Sequence, residues 1–378
     1  MPDGVATMRW DPYVMARGDE FDGFWTGHLA SRERRLLLIL GCGFDLRALE
    51  AVRRINQAGA VADVWLLAFD NGLPDSRVRA ERTEANRHGL VHLFGAAAIK
   101  ILKVRIGGAA GSTATSRSTV AAIRSAGVMD AYDDVVVDIS AMPRMVAMTV
   151  VAKLLHDLDT AHHGGGRNTN LHVTTSESVS DDVSAARGTL SDEVTLVVGF
   201  SGQLTAEGTV TVPRVWFPVL GEGQSERLTA IREKVNPDEI CPVIPFPTRQ
   251  PRRGDEIINE HRAILFDEFQ VEPRNILLAC EYNPFEAYKQ IFRAMDSYRR
   301  AMKELGGCKA FVSPVSSKLL SIGALLACYD HKNGKVPEDN RLLVGIPYVE
   351  TAVYGDPDQE ATTTRELFSM WIRGEWEV

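Results

Sequence analysis

At 378 residues the chain exceeds what one hydrophobic core usually organises, because domains cluster at roughly 100 to 200 residues, so two domains are expected. Apolar residues at 45% and charged residues at 24% exclude global disorder, and a net charge of −8 argues against sequence-independent nucleic-acid binding, which needs Lys and Arg to neutralise phosphates. The longest apolar runs, Leu36 to Leu40 and Met145 to Val151, fall far short of the roughly 20 residues that cross a bilayer, and Met1 to Gly18 has no apolar signal region, so the cytoplasm is the expected compartment.

Residues 1–33 read as an N-terminal extension. The first regular element is then Arg35 to Leu40, a short apolar run ending at Gly41 and Gly43, the pattern of a strand buried on both faces in a parallel sheet. Leu46, Leu49, Val52 and Ile55 recur at three-residue steps and Gly59 follows, which predicts a helix over 46–57. Val61 to Phe69 predicts a second strand ending at Asp70, Arg77 to Phe94 a charged helix, and Ile99 to Ile106 a third strand. Gly107 to Ser118 is rich in Gly, Ser, Thr and Ala and reads as a loop before a helix that ends near Gly127. Val135 to Ile139 predicts a fourth strand, Met142 to Leu158 an apolar helix, His162 to Arg167 a loop and Leu171 to Thr175 a fifth strand. Leu190 to Val212, alternating and punctuated by Gly202 and Gly208, reads as a hairpin or linking ribbon.

The second half repeats this order. Trp216 to Gly223 shares a Leu-Gly-x-Gly with Leu40 to Gly43, and a helix over 227–235 and a strand over 240–246 follow. The helix Gly254 to Phe269 carries Asn259, His261 and Arg262 much as Arg77 to Phe94 carries Asn86, Arg87 and His88. Asn275 to Cys280, a helix over 285–305 entered through Asn283 and Pro284, and strands at Ala310 to Ser313 and Leu342 to Ile346 complete the series. The expected fold class is α/β: two tandem Rossmann-like parallel-sheet domains related by internal duplication. They would occupy 34–200 and 214–378, joined by a linker at 201–213.

Ligands of open parallel sheets bind beyond the C-terminal strand ends, where helix N-termini present unpaired N–H groups. At that place the fourth strand releases Ser140 and the next helix carries Arg144, so hydroxyl, helix end and guanidinium can converge on an anion. Ser313, Ser316, Ser317 and Lys318 occupy the same slot in the second half. Capping of the helices by these serines is the competing reading. Gly41, Gly43, Asp45 and Arg47, with Gly221 and Gly223 as counterparts, form strand-one turns that either hold a nucleotide or simply pack. Asp70 can accept a ribose hydroxyl or sit in a solvated turn, and Asn283 opens a helix at an equivalent edge. No catalytic set and no metal-ligand grouping is visible, and Cys42, Cys241, Cys280, Cys308 and Cys328 read as buried free thiols.

The stretch Asp138 to Met148 resembles the CRISPR-associated Rossmann fold domains, whose fourth strand ends in a Ser/Thr turn with Lys or Arg, although Ala141, Met142 and Pro143 stand where that family has glycines. The resemblance implies a cyclic oligonucleotide touching Ser140, Arg144, Ser316, Ser317 and Lys318, with the strand-one turns as the other rim. The tandem arrangement is similar to the SAVED domain, which looks like two such units fused. This implies a nucleotide sensor or partner subunit of a bacterial antiviral defence system, with its ligand held between the two halves, a protein partner and no membrane contact. A second resemblance competes: Leu40 to Arg47 is similar to the first motif of class I methyltransferases, which implies S-adenosylmethionine on Gly41, Gly43 and Asp45 with Asp70 on its ribose. A ligand-free scaffold using the charged helices at 77–87 and 252–262 is the third alternative.

Overall fold

The structure, a computed structural model, describes residues 7–107, 114–178, 188–204, 212–334, 342–356 and 365–377. It is mixed α/β, with two seven-stranded, mostly parallel sheets flanked by helices. The chain divides into two units, each discontinuous in sequence: a first of Tyr13–Thr189 with Thr351–Val378, and a second of Leu190–Glu350 with Met1–Pro12.

In the first unit the elements run β1 (Val14–Arg17), α1 (Glu20–Ala30), β2 (Leu36–Cys42), α2 (Glu50–Gln57), β3 (Ala62–Asp70), α3 (Arg77–Phe94), β4 (Ile99–Arg105), α4 (Ala114–Ala126), β5 (Asp134–Asp138), α5 (Arg144–His163) and β6 (Asn170–Glu177). Leu36 to Leu40 are all buried, as expected of a strand covered on both faces. Burying each such side chain is worth about 1.5–3 kcal/mol. Leu36, Leu38 and Leu40 share one core with Phe21 and Trp25 of α1, Val52 and Ile55 of α2 and Leu90 of α3. β2 pairs in parallel with β3 on one side, Leu40 opposite Leu66, and with β5 on the other, Leu40 opposite Asp138.

The second unit contributes β7 (Gly188–Ser201, which begins in the first), β8 (Arg214–Val219), α6 (Ser225–Val235), β9 (Glu239–Ile240), β10 (Val243–Pro245), α7 (Arg253–Glu260), β11 (Leu277–Ala279), α8 (Pro284–Ala301), β12 (Lys309–Pro314), α9 (Lys318–Asn333) and β13 (Leu343–Tyr354, whose last residues belong to the first). The last strand, β14 (Glu366–Arg373), lies in the first sheet. Strand order there is β1-β14-β6-β5-β2-β3-β4, and in the second β11-β10-β8-β12-β13-β7 with β9 beside β8. Within each sheet five parallel strands therefore share one order, with the first strand between the second and the fourth (β2 between β3 and β5, β8 between β10 and β12). That position is the switch point where such sheets open a crevice.

Several expectations change. The contiguous division at 34–200 and 214–378 gives way because β14 pairs antiparallel with β6, and β1, from the supposed extension, pairs with β14. Residues 7–12 join the second unit, where the Trp10 ring packs edge-on against Tyr288, 5.2 Å between centroids. The expected Gly107 to Ser118 loop is already helical from Ala114, its residues 108–113 lying outside the described residues. α5 begins at Arg144 rather than Met142 and continues through His162 and His163, placing both at a helix C-terminus instead of in a loop. The helix expected over 254–269 breaks into α7 and a π-helical turn at Ala263–Glu268, and the one over 285–305 ends in a 3-10 turn at Lys303–Leu305. Leu190 to Ser201 is one edge strand beside β13, and of the expected ribbon 205–211 lies outside the described residues.

Candidate ligand-binding site

At the C-terminal end of β2, Gly41 meets the turn that follows β5. A Cβ at Gly41 would stand 2.9 Å from the Ala141 carbonyl oxygen and 3.0 Å from the Phe69 ring, so the strand-one turn and the strand-four turn touch only because position 41 lacks a side chain. Asp45 caps the 3-10 turn Leu46–Leu49 by accepting from the Arg47 amide at 2.9 Å, and its carboxylate receives the Arg47 guanidinium through Nη2 at 2.7 Å. Arg47 is buried and its Nη1 also donates to the Ser176 carbonyl of β6. Asn86, from α3, donates to the Gly43 carbonyl at 2.8 Å and the Asp45 carbonyl at 3.0 Å, which fixes the turn's path.

The second unit builds the same junction from other residues. A Cβ at Gly221 would stand 2.8 Å from the Val315 carbonyl and 2.9 Å from the Ser316 Cα, so here too the strand-one glycine abuts the strand-four turn. His261, fully buried after α7, reaches back as Asn86 does. Because the Gly221 carbonyl can only accept, His261 Nε2 donates to it at 2.8 Å, and Nδ1 accepts from Ser225 Oγ at 3.2 Å. Arg227 is buried and donates to the Val349 carbonyl of β13, as Arg47 donates to β6. Gly41, Gly43 and Arg47 thus recur 180 positions later as Gly221, Gly223 and Arg227. The arginine spacing was legible in the sequence and was missed. The aspartate does not recur: Arg227 pairs with Gln224 Oε1 at 2.7 Å instead.

The expected site residues fall into three groups. Some are committed to the fold. Ser140 is fully buried, donates to Asp138 Oδ2 at 3.1 Å and accepts from the Ser176 amide at 2.9 Å. Ser313 is fully buried and accepts from Trp216 Nε1 at 2.9 Å. Ser317 caps α9 through the Leu320 amide, as the capping reading expects, and Asn283, a ligand candidate in the sequence, caps α8 through the amides of Phe285 and Glu286. Others lie at the strand ends. Arg144 and Lys318, both half-buried, are each the first residue of the helix that follows the fourth strand. Ser316 is buried at the turn against Gly221. Asp70 stands alone in the third group: it is exposed, accepts from the Gly72 amide at 2.8 Å, and faces an open cleft with Lys103, Arg105, Ala114 and Ser118.

The sequence hid two charged clusters. In the second unit, Glu222 accepts from Arg253 Nε at 2.5 Å and Nη2 at 2.8 Å, while Arg253 Nη1 pairs with Glu281. Burial pushes the Glu222 carboxyl up, but the Arg253 hydrogen bonds and charge outweigh it and hold the group below its usual range. Gly223 N donates to Glu260 Oε1 at 2.6 Å. In the first unit, His28, Asp134 and His172 converge at the N-terminal end of β5, with ligand-type atoms within 4.8 Å of one another, although residues so far apart gave no metal spacing to read. His28 Nε2, His172 Nε2 and Asn170 Nδ2 all donate to Asp134 Oδ1 and Arg34 to Oδ2. A metal-bound imidazole would donate its other N–H, whereas His172 Nδ1 is buried with no hydrogen-bond partner. The donor set therefore fits a carboxylate hub better than a cation.

Of the cysteines, Cys241, Cys308 and Cys328 are buried, and Cys42 and Cys280 are half-buried. Burial pushes the Cys241 thiol up to about 11. No helix among the described residues is long and apolar enough to cross a membrane. No protein-family model and no curated protein matches the chain.

Proposed function

We propose that this protein binds a phosphate-bearing, nucleotide-like ligand at the carboxyl edge of its parallel sheets and serves as a sensor or partner subunit of a bacterial antiviral defence system. One observation carries the ligand class: in both units a strand-one glycine abuts the strand-four turn, and the helix leaving that turn begins with a cation, Arg144 or Lys318. Helix N-terminus, turn amides and guanidinium or ammonium suit an anion. Duplication of one unit accounts for the recurrence of both glycines, the buried arginine and the latch from the helix after the second parallel strand or its end. The defence role rests on the resemblance of Asp138 to Met148 to the CRISPR-associated domains. The methyltransferase alternative is less well supported, because the Asp45 carboxylate is engaged by Arg47.

The test is a thermal-shift screen with cyclic di- and tri-adenylate, ATP and S-adenosylmethionine. A ligand at a hundred times its Kd stabilises the native state by about 2.7 kcal/mol. The expected result is a shift with a cyclic nucleotide that disappears in the double variant Arg144→Ala, Lys318→Ala. A shift with S-adenosylmethionine alone would favour a methyltransferase, and no shift with any compound would refute nucleotide binding.

A further inference from the structure

The two strand-end edges share a skeleton but not a charge. In the first unit the turn reads Gly41, Cys42, Gly43, its one carboxylate, Asp45, is paired with Arg47, and the side chain that latches the turn is the neutral amide of Asn86. The neighbouring cleft adds Lys103 and Arg105 against one acid, Asp70. In the second unit Glu222 stands at the position of Cys42, and Glu260 follows on α7. The Gly223 N–H, the kind of donor that cradles a phosphate in glycine turns, is already taken by Glu260 Oε1 at 2.6 Å. The side chain of Arg253 is buried and clamped between Glu222 and Glu281, with Glu281 Oε2 also accepting from the Arg249 amide at 2.9 Å. Glu222, Glu260 and Glu281 thus gather around one guanidinium, with the Gly223 and Arg249 amides as further donors, so a phosphate approaching Gly221 to Gly223 meets carboxylates.

We propose that the phosphate-bearing ligand is taken by the first unit alone, at the Gly41 to Gly43 turn and Arg144, and that Glu222 and Glu260 fill the equivalent edge of the second unit as built-in carboxylates. The inference rests on the nucleotide-binding reading above and narrows it. The second unit then keeps the junction of Gly221, His261 and Arg227 for packing, and Lys318 is a helix-end cation that the ligand does not use.

Calorimetric titration of the full chain with cyclic di-adenylate, cyclic tri-adenylate and ATP tests this, using the wild type and the single variants Arg144→Ala and Lys318→Ala. The expected result is one ligand per chain for whichever probe binds, affinity at least tenfold weaker in Arg144→Ala, and affinity within twofold of wild type in Lys318→Ala. Two ligands per chain, or a Lys318→Ala loss equal to that of Arg144→Ala, would overturn the one-sided assignment while leaving nucleotide binding intact. Wild type that binds none of the three probes would overturn both.

Discussion

Adding one methyl group at Gly41 or Gly221 separates the packing argument from any argument about backbone freedom. Neither glycine has a positive φ, so alanine is conformationally acceptable at both and the cost is steric. At Gly221 the new Cβ meets backbone on two sides, the Val315 carbonyl at 2.8 Å and Ser316 Cα at 2.9 Å, and at Gly41 the Ala141 carbonyl at 2.9 Å. Ordinary contact begins near 3.4 Å, so the strand-four turn must retreat by about half an ångström, and such overpacking costs about 1–3 kcal/mol. The smaller entropy of an unfolded alanine returns about 0.4–1 kcal/mol, leaving a net loss of about 1–2 kcal/mol. For a unit of about 200 residues that lowers the melting temperature by roughly 2–8 °C. Gly43 is the internal control, because its nearest contact is the Ala141 carbonyl at 3.4 Å and its φ is not positive. Gly43→Ala should therefore be neutral or slightly stabilising. Urea unfolding followed by tryptophan fluorescence reads all three. If Gly41→Ala and Gly221→Ala unfold at the same midpoint as Gly43→Ala, the glycines are not what lets the two turns meet.

Three further outcomes are expected. Arg253→Met strands Glu281 in the interior and Glu222 at its margin, which should cost about 3 kcal/mol, the lower end for a broken buried pair because Glu222 is a quarter exposed; a loss under about 1 kcal/mol by calorimetry would contradict the clamp. Asn283→Ala should lose about 1 kcal/mol as a missing helix cap while Asn283→Asp retains most of it, and equal stability of all three proteins in urea would remove the capping role. Burial holds the His172 imidazole below its ordinary value of 6.5, so the folded state keeps it neutral while the unfolded chain takes up a proton. Its contribution is complete above that value and is lost as the pH falls below it, by at most about 1.4 kcal/mol per pH unit. Stability should decline from pH 7.5 to 5.5, less steeply in His172→Gln, and an identical slope in that variant would count against the assignment.

What could be read from the sequence depended on how local the signal was. The run Leu36 to Leu40 declared a doubly covered strand because both faces are buried, and the alternation of such runs with helical spacings gave the parallel α/β class. β14 carries its own signal, with Phe368, Met370 and Ile372 buried at alternate positions, but nothing local says that it returns to β6 across nearly two hundred residues. α1 falls inside the expected extension although Phe21, Trp25 and His28 lie on one helical face, because about two turns of such spacing among charges resemble a solvated segment. At the strand ends the glycines were legible as glycines. Asn86 and His261 stand out as shared Asn, His and Arg clusters on matching helices, but that they and the Ala141 carbonyl meet the glycine turns does not, since hydrogen bonds to backbone carbonyls leave no pattern in sequence.

The same distinction explains why the two units can agree in skeleton and differ in chemistry. A strand-one turn that must touch the strand-four turn has room for no Cβ at Gly41 or Gly221, and a buried arginine just past that turn, tying it to the fifth parallel strand, has a carbonyl to find, at Ser176 or Val349, whatever the ligand. These positions answer to geometry, so they recur. The side chains in and around the turn answer only to what approaches it. In the first turn position 42 is the uncharged Cys42 and the one carboxylate, Asp45, is paired with Arg47, whereas Glu222 and Glu260 place carboxylates on the second, one of them bonded to the turn amide itself. On the nucleotide-binding reading proposed above, a pair of sites for two identical anions would have no reason to differ in this way, and the difference fits one unit keeping the ligand while the other closes its strand-one turn from within.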